Sequence, residues 1–266
     1  MVANEMDKRY QVRSVSRAVE ILEALADGAD GLTVTEVAKR VGAAKSAAFS
    51  TLQTLEAHGF AASRGEGAAR RYRLGLALAR LGEHAIGQVS MRDIALPVLR
   101  ELSEETGMTA RVAVPEAGHA VVVGRVNAPG AVRFDLHMGT REPAHCTGVG
   151  KAILAELPED AAREVLSAGP LAARTPRTLT DVPAVLADLA EIRRRGYAID
   201  DEEDAEGIFC VGSAVRDHRD ECAGAISVTG LKLDLPLWRI HQIGETVRGY
   251  AVRVTDLLSG RVAGTS

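Results

Sequence analysis

The stretch TVTEVAKRVGAAKSAAFSTLQTLEAHGF, residues 33–60, constrains the fold of this chain more than any other part of its sequence. Thr33 and, three positions later, Glu36 have the spacing of a capping box, in which two side chains satisfy free backbone groups at the start of a helix. Gly42 permits a sharp turn, and a second run with apolar residues at helical spacing follows it. The stretch therefore predicts two short helices joined by a tight turn, the second at about residues 44–58.

The flanking sequence extends these two helices to a larger unit. Upstream, SVSRAVEILEALADG predicts a helix at about residues 15–27, because apolar residues recur every three or four positions. Those expected to face the core are Val15, Ala18, Val19, Leu22 and Leu25. Downstream, FAAS, RGEGAA and RRYRL predict a strand, a turn and a returning strand. This order is typical of a winged helix-turn-helix domain, although a plain three-helix bundle with a solvated hairpin has the same pattern.

A winged domain of this kind places its third helix in the major groove of DNA, which is about 12 Å wide. In the predicted third helix, Ala48, Leu52 and Leu55 are expected to face the core. The residues expected to face DNA are Lys45, Ser46, Phe49, Ser50 and Gln53. The hairpin arginines expected to contact phosphates are Arg64, Arg70 and Arg71. Phe49 has a second interpretation, since it could equally pack against the first helix.

Composition and charge exclude several other classes of protein. Of the 266 residues, 46% are hydrophobic and 26% are charged, which is typical of a globular protein. No apolar run approaches the roughly 18 residues of a membrane span, and the N-terminus lacks a signal-peptide apolar region, so we expect a cytoplasmic protein. Three cysteines are too few for a disulfide framework. The formal net charge is −4, and the small basic excess of residues 1–88 matters only if its positive groups share one face.

Residues 76–107 are expected to connect two domains. The run LALARLGEHAIG continues helically from the hairpin, and Ser90 with Asp93 resembles the N-terminal cap of a helix that ends at Gly107. Pro97 inside that helix is expected to kink or segment it. Such an apolar connector would pair with its twin in a dimer, which is also what two symmetric DNA half-sites require.

The rest of the chain alternates strand-like runs such as AVVVGRV with helical runs such as VPAVLADLAEIRRRG, which predicts an α+β domain with an antiparallel sheet. Within it, Thr147, Gly148 and Val149 open a helix, where free N–H groups and the helix dipole can hold a carboxylate or a phosphate. The glycines could instead only permit close packing. A nucleotide P-loop is excluded, because it needs a glycine at His145 and Ser or Thr at Ala152.

Two hydroxyl side chains in the run AGAISVTG are a second candidate for ligand binding. Strand alternation puts Ser227 and Thr229 on one face and Ile226 and Val228 on the other. The hydroxyls could bind an oxygen-rich ligand, although strand residues of this kind more commonly face water.

The acidic run DDEEDAEG begins at Asp200 and lies just before Cys210. The run predicts a solvated loop. Cys210 is expected to be a small buried residue, as free cysteines usually are. A thiol enzyme would use Cys146 or Cys210 with His145, but sequence neighbours on a strand point to opposite faces, which disfavours the adjacent pair. A zinc site made of these residues is conceivable, but no spacing supports it and it is a minor option. The sequence therefore predicts neither a metal nor a cofactor.

Several motifs together resemble the IclR family of bacterial transcriptional regulators. Its DNA-binding domain is resembled by SVSRAVEILEAL, by the stretch at residues 33–60 and by RYRLGLALARLG. Its effector-binding domain is resembled by HCTGVGKAILAELP, RRRGYAIDDEEDAEGIFCVGSAVRD and GAISVTG. The resemblance implies a winged-helix domain at residues 10–75, linking helices at 76–107 and a GAF-like α/β domain at 108–260, assembled as dimers or dimers of dimers. This chain departs from the family's usual Lys-Ser-Thr and following arginine, since KSAAFS has Ala47 and Ser50 at those positions.

The resemblance also implies a small carboxylate or aromatic-acid effector and a palindromic operator, with repression the commoner behaviour. The effector positions that match the family are Gly148, Val149, Asp200, Cys210, Ser227 and Thr229, and Thr147 precedes the first of them. Apolar residues such as Phe134 and Ile208 would contact the carbon skeleton. The hypotheses are a ligand-responsive regulator, a DNA-binding regulator without small-molecule control and, less favoured, the thiol enzyme.

Overall fold

The computed structural model describes residues 12–28, 30–87, 90–130, 134, 138–233 and 235–261. The chain divides into two compact units, Met1–Gln88 and Val89–Ser266. The elements of the first unit are α1 (Arg13–Ala26), β1 (Leu32–Thr33), α2 (Val34–Arg40), α3 (Lys45–Ala57), β2 (Ala61–Arg64), β3 (Arg71–Leu74) and α4 (Leu76–Gly87), with a short 3-10 turn at Gly67–Ala69 between β2 and β3.

The capping box at the start of α2 is confirmed. The Thr33 hydroxyl accepts a hydrogen bond from the Glu36 amide at 3.3 Å, and the Glu36 carboxylate accepts one from the Thr33 amide at 2.7 Å. Thr33 also belongs to β1, a two-residue strand that pairs with β3 and that the sequence did not predict. The hairpin is therefore part of a three-stranded sheet in the order β1-β3-β2. Two residues are too few to show an alternating pattern, so only the tertiary pairing identifies this strand.

The core of the N-terminal unit joins all three helices to the hairpin. Ala48, Leu52 and Leu55 of α3 are buried, as predicted. The prediction for α1 was partly wrong, because Val15 and Val19 are 59% and 49% exposed. The α1 residues that reach this core lie mainly in its C-terminal half, where Ile21 and Leu25 are buried among its members.

The C-terminal unit is an α+β domain built on one antiparallel sheet of six strands. Its elements are α5 (Met91–Thr106), β4 (Thr109–Glu116), β5 (His119–Val126), β6 (Arg141–Pro143), α6 (Gly148–Ala155), α7 (Glu159–Ser167), α8 (Val182–Arg195), β7 (Ala198–Asp201), β8 (Ile208–Arg216), β9 (Cys222–Leu231) and α9 (Leu237–Leu258). The strand order is β6-β5-β4-β9-β8-β7, which confirms the predicted antiparallel sheet.

The two faces of this sheet carry different helices. Ile226 and Val228 belong to a core formed with α5 and α9, whereas Ala225 belongs to a second core formed with α6, α7 and α8. Because side chains alternate along a strand, Ser227 and Thr229 lie on the α6 face with Ala225. The predicted separation of the hydroxyls from Ile226 and Val228 is confirmed.

The segment expected to connect the domains is divided between the two units. α4 belongs to the first unit, whereas α5 buries Val98, Leu99 and Leu102 in the core of the second. Ser90 caps α5 and Gly107 ends it, as predicted. Pro97 does not segment the helix, which is continuous from Met91 to Thr106. Pro97 is exposed, so the carbonyl that it leaves without an amide partner can be hydrated.

Candidate functional site

The exposed face of α3 carries four of the five residues predicted to contact DNA. Lys45, Ser46, Phe49 and Ser50 are exposed. Phe49 is 45% exposed and lies outside the N-terminal core. It lines a concave surface of about 580 Å³ together with Thr33, Val34, Thr35, Lys45, Ser46, Gly67 and Arg70. Of the two interpretations of Phe49, the structure therefore agrees with the outward-facing one.

Gln53 occupies a different position from the one expected. Its side-chain amide donates to the Tyr72 hydroxyl at 3.0 Å and to the Glu56 carboxylate at 3.4 Å. Tyr72 is a residue of β3 and is fully buried. The Gln53 side chain thus joins α3 to the hairpin, which leaves it less able to contact a base.

The three predicted phosphate-contacting arginines differ in their surroundings. Arg70 forms an ion pair with Glu56 at 2.7 Å, and Arg71 donates to the Gly31 carbonyl at 2.7 Å. Hydrogen bonds from Ser63 and Arg70 hold the pKa of Glu56 below its usual range, so the carboxylate stays charged. The side chain of Arg64 is exposed and makes no hydrogen bond or ion pair within the described part of the chain. Arg64 is therefore the least constrained of the three.

In the C-terminal unit, strand register brings the predicted effector residues together on the α6 face. Asp200 pairs with Cys210 and Cys210 with Thr229, so these three form one row across β7, β8 and β9. Gly212 and Ser227 form the neighbouring row. Directly opposed residues of antiparallel strands share a face, so all five point toward α6.

Ser227 and Thr229 do not face water. Their exposed fractions are 0% and 3%, because α6 covers this face of the sheet. The expectation of solvent-facing strand hydroxyls was therefore wrong. Thr229 lies 3.2 Å from the Cys210 sulfur, whereas the Ser227 hydroxyl makes no hydrogen bond among the described residues.

The N-terminus of α6 lies directly against β8. Thr147 caps the helix by accepting from the Gly150 amide at 3.2 Å. A Cβ atom added at Gly148 would lie 3.2 Å from the Cys210 Cβ, and one added at Gly212 would lie 2.4 Å from the Gly148 carbonyl oxygen. Close packing thus explains why Gly148 and Gly212 are glycines. The amides of Gly148 and Val149 precede the first hydrogen bond of the helix, and neither has a backbone acceptor among the described residues.

The acidic run is less solvated than expected. Asp200 is buried, and one of its carboxylate oxygens accepts from the amides of Glu203 and Asp204. Burial raises the pKa of Asp200 to about 7. Glu203 is also buried, and it pairs with the fully buried ammonium of Lys151, which contacts Asp188 at 2.9 Å. The run was predicted to be a loop in water because its composition alone does not show that Glu203 pairs with the buried Lys151.

Phe134 and Ile208 are both half-buried. Ile208 has the same strand parity as Cys210 and so lies on the α6 face. The Phe134 carbonyl accepts from Arg125 at 3.2 Å. Phe134 also lines a cavity of about 290 Å³ with Thr106, Gly107, Met108, Ala128, Gly130, Thr229, Gly230 and Leu231. The cavity brings Phe134 near one of the two predicted hydroxyl residues.

A buried ion pair, Arg111 with Glu142, was missed in the sequence. Arg111 is 3% exposed and faces the same side of the sheet as Ser227, with which it pairs across β4 and β9. Its Nη1 lies 2.5 Å from Glu142, and its Nη2 lies 3.6 Å from the Cys210 sulfur. Burial raises the pKa of Glu142. The only signal was an arginine at alternate spacing in TARVAVP, which also fits a solvent-facing position.

The residues of the thiol-enzyme hypothesis are not arranged for catalysis. Burial raises the pKa of Cys146 to about 12 and that of Cys210 further, so both thiols stay protonated near neutral pH. His145 instead contacts the Ala172 carbonyl at 3.2 Å. Within the described residues, no group of His, Cys, Asp and Glu has the arrangement of a metal site.

Comparison with known families decides between a DNA-binding regulator and an enzyme. The sequence model of the bacterial transcriptional regulator IclR C-terminal domain matches residues 83–255, and that of the IclR helix-turn-helix domain matches residues 14–65. This chain belongs to the IclR family. It is therefore a DNA-binding transcriptional regulator with a C-terminal effector-binding domain, and it is not an enzyme.

Individual IclR-family proteins match over most of their length. The transcriptional repressor IclR of Escherichia coli (strain K12) is 32% identical over 252 residues, which cover 94% of this chain and 91% of that protein. The regulator XynR of the same organism is 32% identical over 220 residues, 83% of this chain and 86% of that protein. The crystal structure of the Agobacterium tumefaciens repressor BlcR has a TM-score of 0.80 at 26% identity and covers 94% of this chain and 98% of that chain. Among the described helices, none combines the length and apolar character needed to span a bilayer.

Proposed function

We propose that this IclR-family protein is a homo-oligomeric repressor that binds a palindromic operator and responds to a small organic acid. The observation that carries the effector half is the unpartnered, fully buried hydroxyl of Ser227 beside Thr229, Cys210 and Asp200. A buried polar group without a hydrogen bond is costly, and a polar ligand would satisfy it. The amides of Gly148 and Val149, at the start of the helix that covers this face, supply further donors.

For DNA binding, we assign the contacts by how free each side chain is. Lys45, Ser46, Phe49 and Ser50 form the exposed face of α3 that would enter the major groove. Arg64 is the main phosphate contact of the hairpin. In this proposal the main role of Gln53, Arg70 and Arg71 is to stabilise the N-terminal unit, since each already has a hydrogen-bond partner within it.

Exposed apolar side chains on the N-terminal unit favour an oligomer. In the N-terminal unit, Val15 and Val19 of α1 and Leu76 and Leu81 of α4 are all at least 45% exposed. Apolar side chains of this size favour burial in an interface between subunits. A dimer would present two copies of α3 to two half-sites of a palindrome. We propose that the protein acts on chromosomal DNA in the bacterial cytoplasm.

The function is tested with an operator obtained by selection from random duplex DNA. We expect a palindromic sequence, bound by a dimer or larger species in sedimentation. Lactate and 4-hydroxybenzoate, with lactamide and 4-hydroxybenzamide as neutral controls, are then added to the complex. An acid of the right class should change operator affinity by a coupling of about 1–3 kcal/mol. Tight operator binding that no acid alters would favour a regulator without small-molecule control, and a monomer that binds the palindrome tightly would contradict the oligomer.

A further inference from the structure

The buried guanidinium of Arg111 has one open edge. Its Nη1 is engaged by Glu142, whereas Nη2 has only the Cys210 sulfur at 3.6 Å and Nε makes no hydrogen bond among the described residues. In an arginine, Nε and Nη2 lie on the same edge and donate two parallel hydrogen bonds, the geometry that fits a carboxylate. Arg111 therefore keeps its two-pronged edge available although it is 3% exposed.

The open edge lies among the residues already assigned to the effector. Arg111 is the direct cross-strand neighbour of Ser227, and both are on the α6 face of the sheet. The Cys210 sulfur that contacts Nη2 belongs to the residue whose Cβ faces Gly148. Two unpartnered buried groups, the Nε of Arg111 and the hydroxyl of Ser227, thus stand on neighbouring strands of one surface.

Glu142 orients Arg111 without filling its binding capacity. One Glu142 oxygen accepts from Nη1, and the other makes no hydrogen bond in the described part of the chain. A carboxylate paired in this monodentate way holds the guanidinium in place and offsets the cost of burying its charge. An added anion competes electrostatically with Glu142 but needs a different edge of Arg111.

We propose that Arg111 recognises the carboxylate of the effector through Nε and Nη2, with the Ser227 hydroxyl donating to one of the same oxygens. The inference rests on the proposed effector function and names its ligand class as an organic acid bound by a side-chain cation. The amides at the start of α6 then contact other oxygens of the ligand. Glu142 is a positioning residue, because it acts on the ligand only through Arg111.

Two variants test this assignment in opposite directions. The double substitution Arg111→Gln/Glu142→Gln removes both charges together, so that no uncompensated charge is left buried. It should weaken binding of the acid by roughly tenfold or more, the range for a lost charged hydrogen bond. Glu142→Gln keeps Arg111 charged, and its amide oxygen can still accept from Nη1 and hold the guanidinium in place. Because the competing anion is removed, this variant should bind the acid more tightly than the wild type. Arg163→Gln, on the exposed part of α7, is the matched control and should change neither acid binding nor operator affinity.

Binding is measured by calorimetry on the full-length protein with lactate, 4-hydroxybenzoate and their amides, and operator affinity is measured in parallel. Circular dichroism and operator binding establish that each variant is folded. The inference is overturned if the acids bind the double variant as tightly as the wild type, if the amides bind as well as the acids, or if neither acid binds the wild type at all. If the acids still bind the double variant, or if the amides bind as well as the acids, a ligand that shifts operator affinity still supports the proposed ligand-responsive function.

Discussion

Arg70 and Glu56 form an ion pair at 2.7 Å that ties the hairpin of the DNA-binding unit to α3. The same guanidinium donates to Ser63 at 2.8 Å and stacks over the Tyr72 ring at 5.3 Å. A residue chosen from the sequence as a phosphate contact is thus part of the packing that positions the recognition helix. The side chain of the neighbouring Arg64 has no such partner among the described residues, so the two arginines can be compared as a matched pair.

Arg64→Ala and Arg70→Ala should therefore have different effects. Loss of Arg64 should weaken binding to every duplex and reduce the salt dependence by about one phosphate contact, with no change in the free energy of unfolding. Loss of Arg70 should lower the free energy of unfolding of the N-terminal unit. Fluorescence anisotropy over a range of salt concentrations and urea denaturation separate the two. An unchanged salt dependence for Arg64→Ala would show that Arg64 of the hairpin does not contact a DNA phosphate.

Phe49→Ala should alter sequence preference more than stability. Phe49 is 45% exposed, so truncation loses little buried area. If Phe49 contacts a thymine methyl group, its loss should remove discrimination at that base pair, where a mismatch typically costs about 1–3 kcal/mol. Competition between operator variants measures this loss, and Thr54→Ala on the exposed side of α3 is the control. A large drop in stability with unchanged sequence preference would show that Phe49 packs within the domain.

Gly148→Ala should destabilise the C-terminal unit and not merely obstruct a ligand. The added methyl group would lie 3.2 Å from the Cys210 Cβ and from the Gly212 amide nitrogen, so α6 would have to move from β8. We expect a loss of about 1–3 kcal/mol, which is typical of overpacking. Gly249→Ala in α9 is the control: nothing lies within 4 Å of its added Cβ, and it should stabilise by up to about 1 kcal/mol. Equal stability of the two variants would contradict the close contact.

Asp200 should make stability depend on pH. Its pKa is about 7 in the folded protein and near 3.8 in the unfolded chain, so the folded state holds the proton more tightly. The free energy of unfolding should therefore fall as pH rises from about 4 to 7 and level off above. Asp200→Asn, whose amide oxygen can still accept from Glu203 and Asp204, should reduce this dependence in urea denaturation. An unchanged pH dependence in the variant would assign the effect to another group.

The effector surface shows where sequence reasoning succeeded and failed. Alternation along β9 predicted that Ser227 and Thr229 share a face, and the family resemblance pointed to Asp200 and Cys210. Neither could show that α6 covers this face, so the hydroxyls were expected in water. Arg111 and Glu142 were missed altogether, because their charges are explained only by each other across 31 positions of sequence.

The sequence by itself determined the elements whose causes are local: the capping box at Thr33 and Glu36, the buried stripe of α3, and the end of α5 at Gly107. Each depends on interactions between residues that lie within one or two helical turns of one another in the sequence. Only the tertiary structure decided which of the positions predicted to face solvent are in fact exposed. Gln53 and Arg70 were given internal partners by the hairpin, and Arg111 was buried with Glu142, because spacing fixes the face on which a side chain lies and only distant segments determine what covers that face.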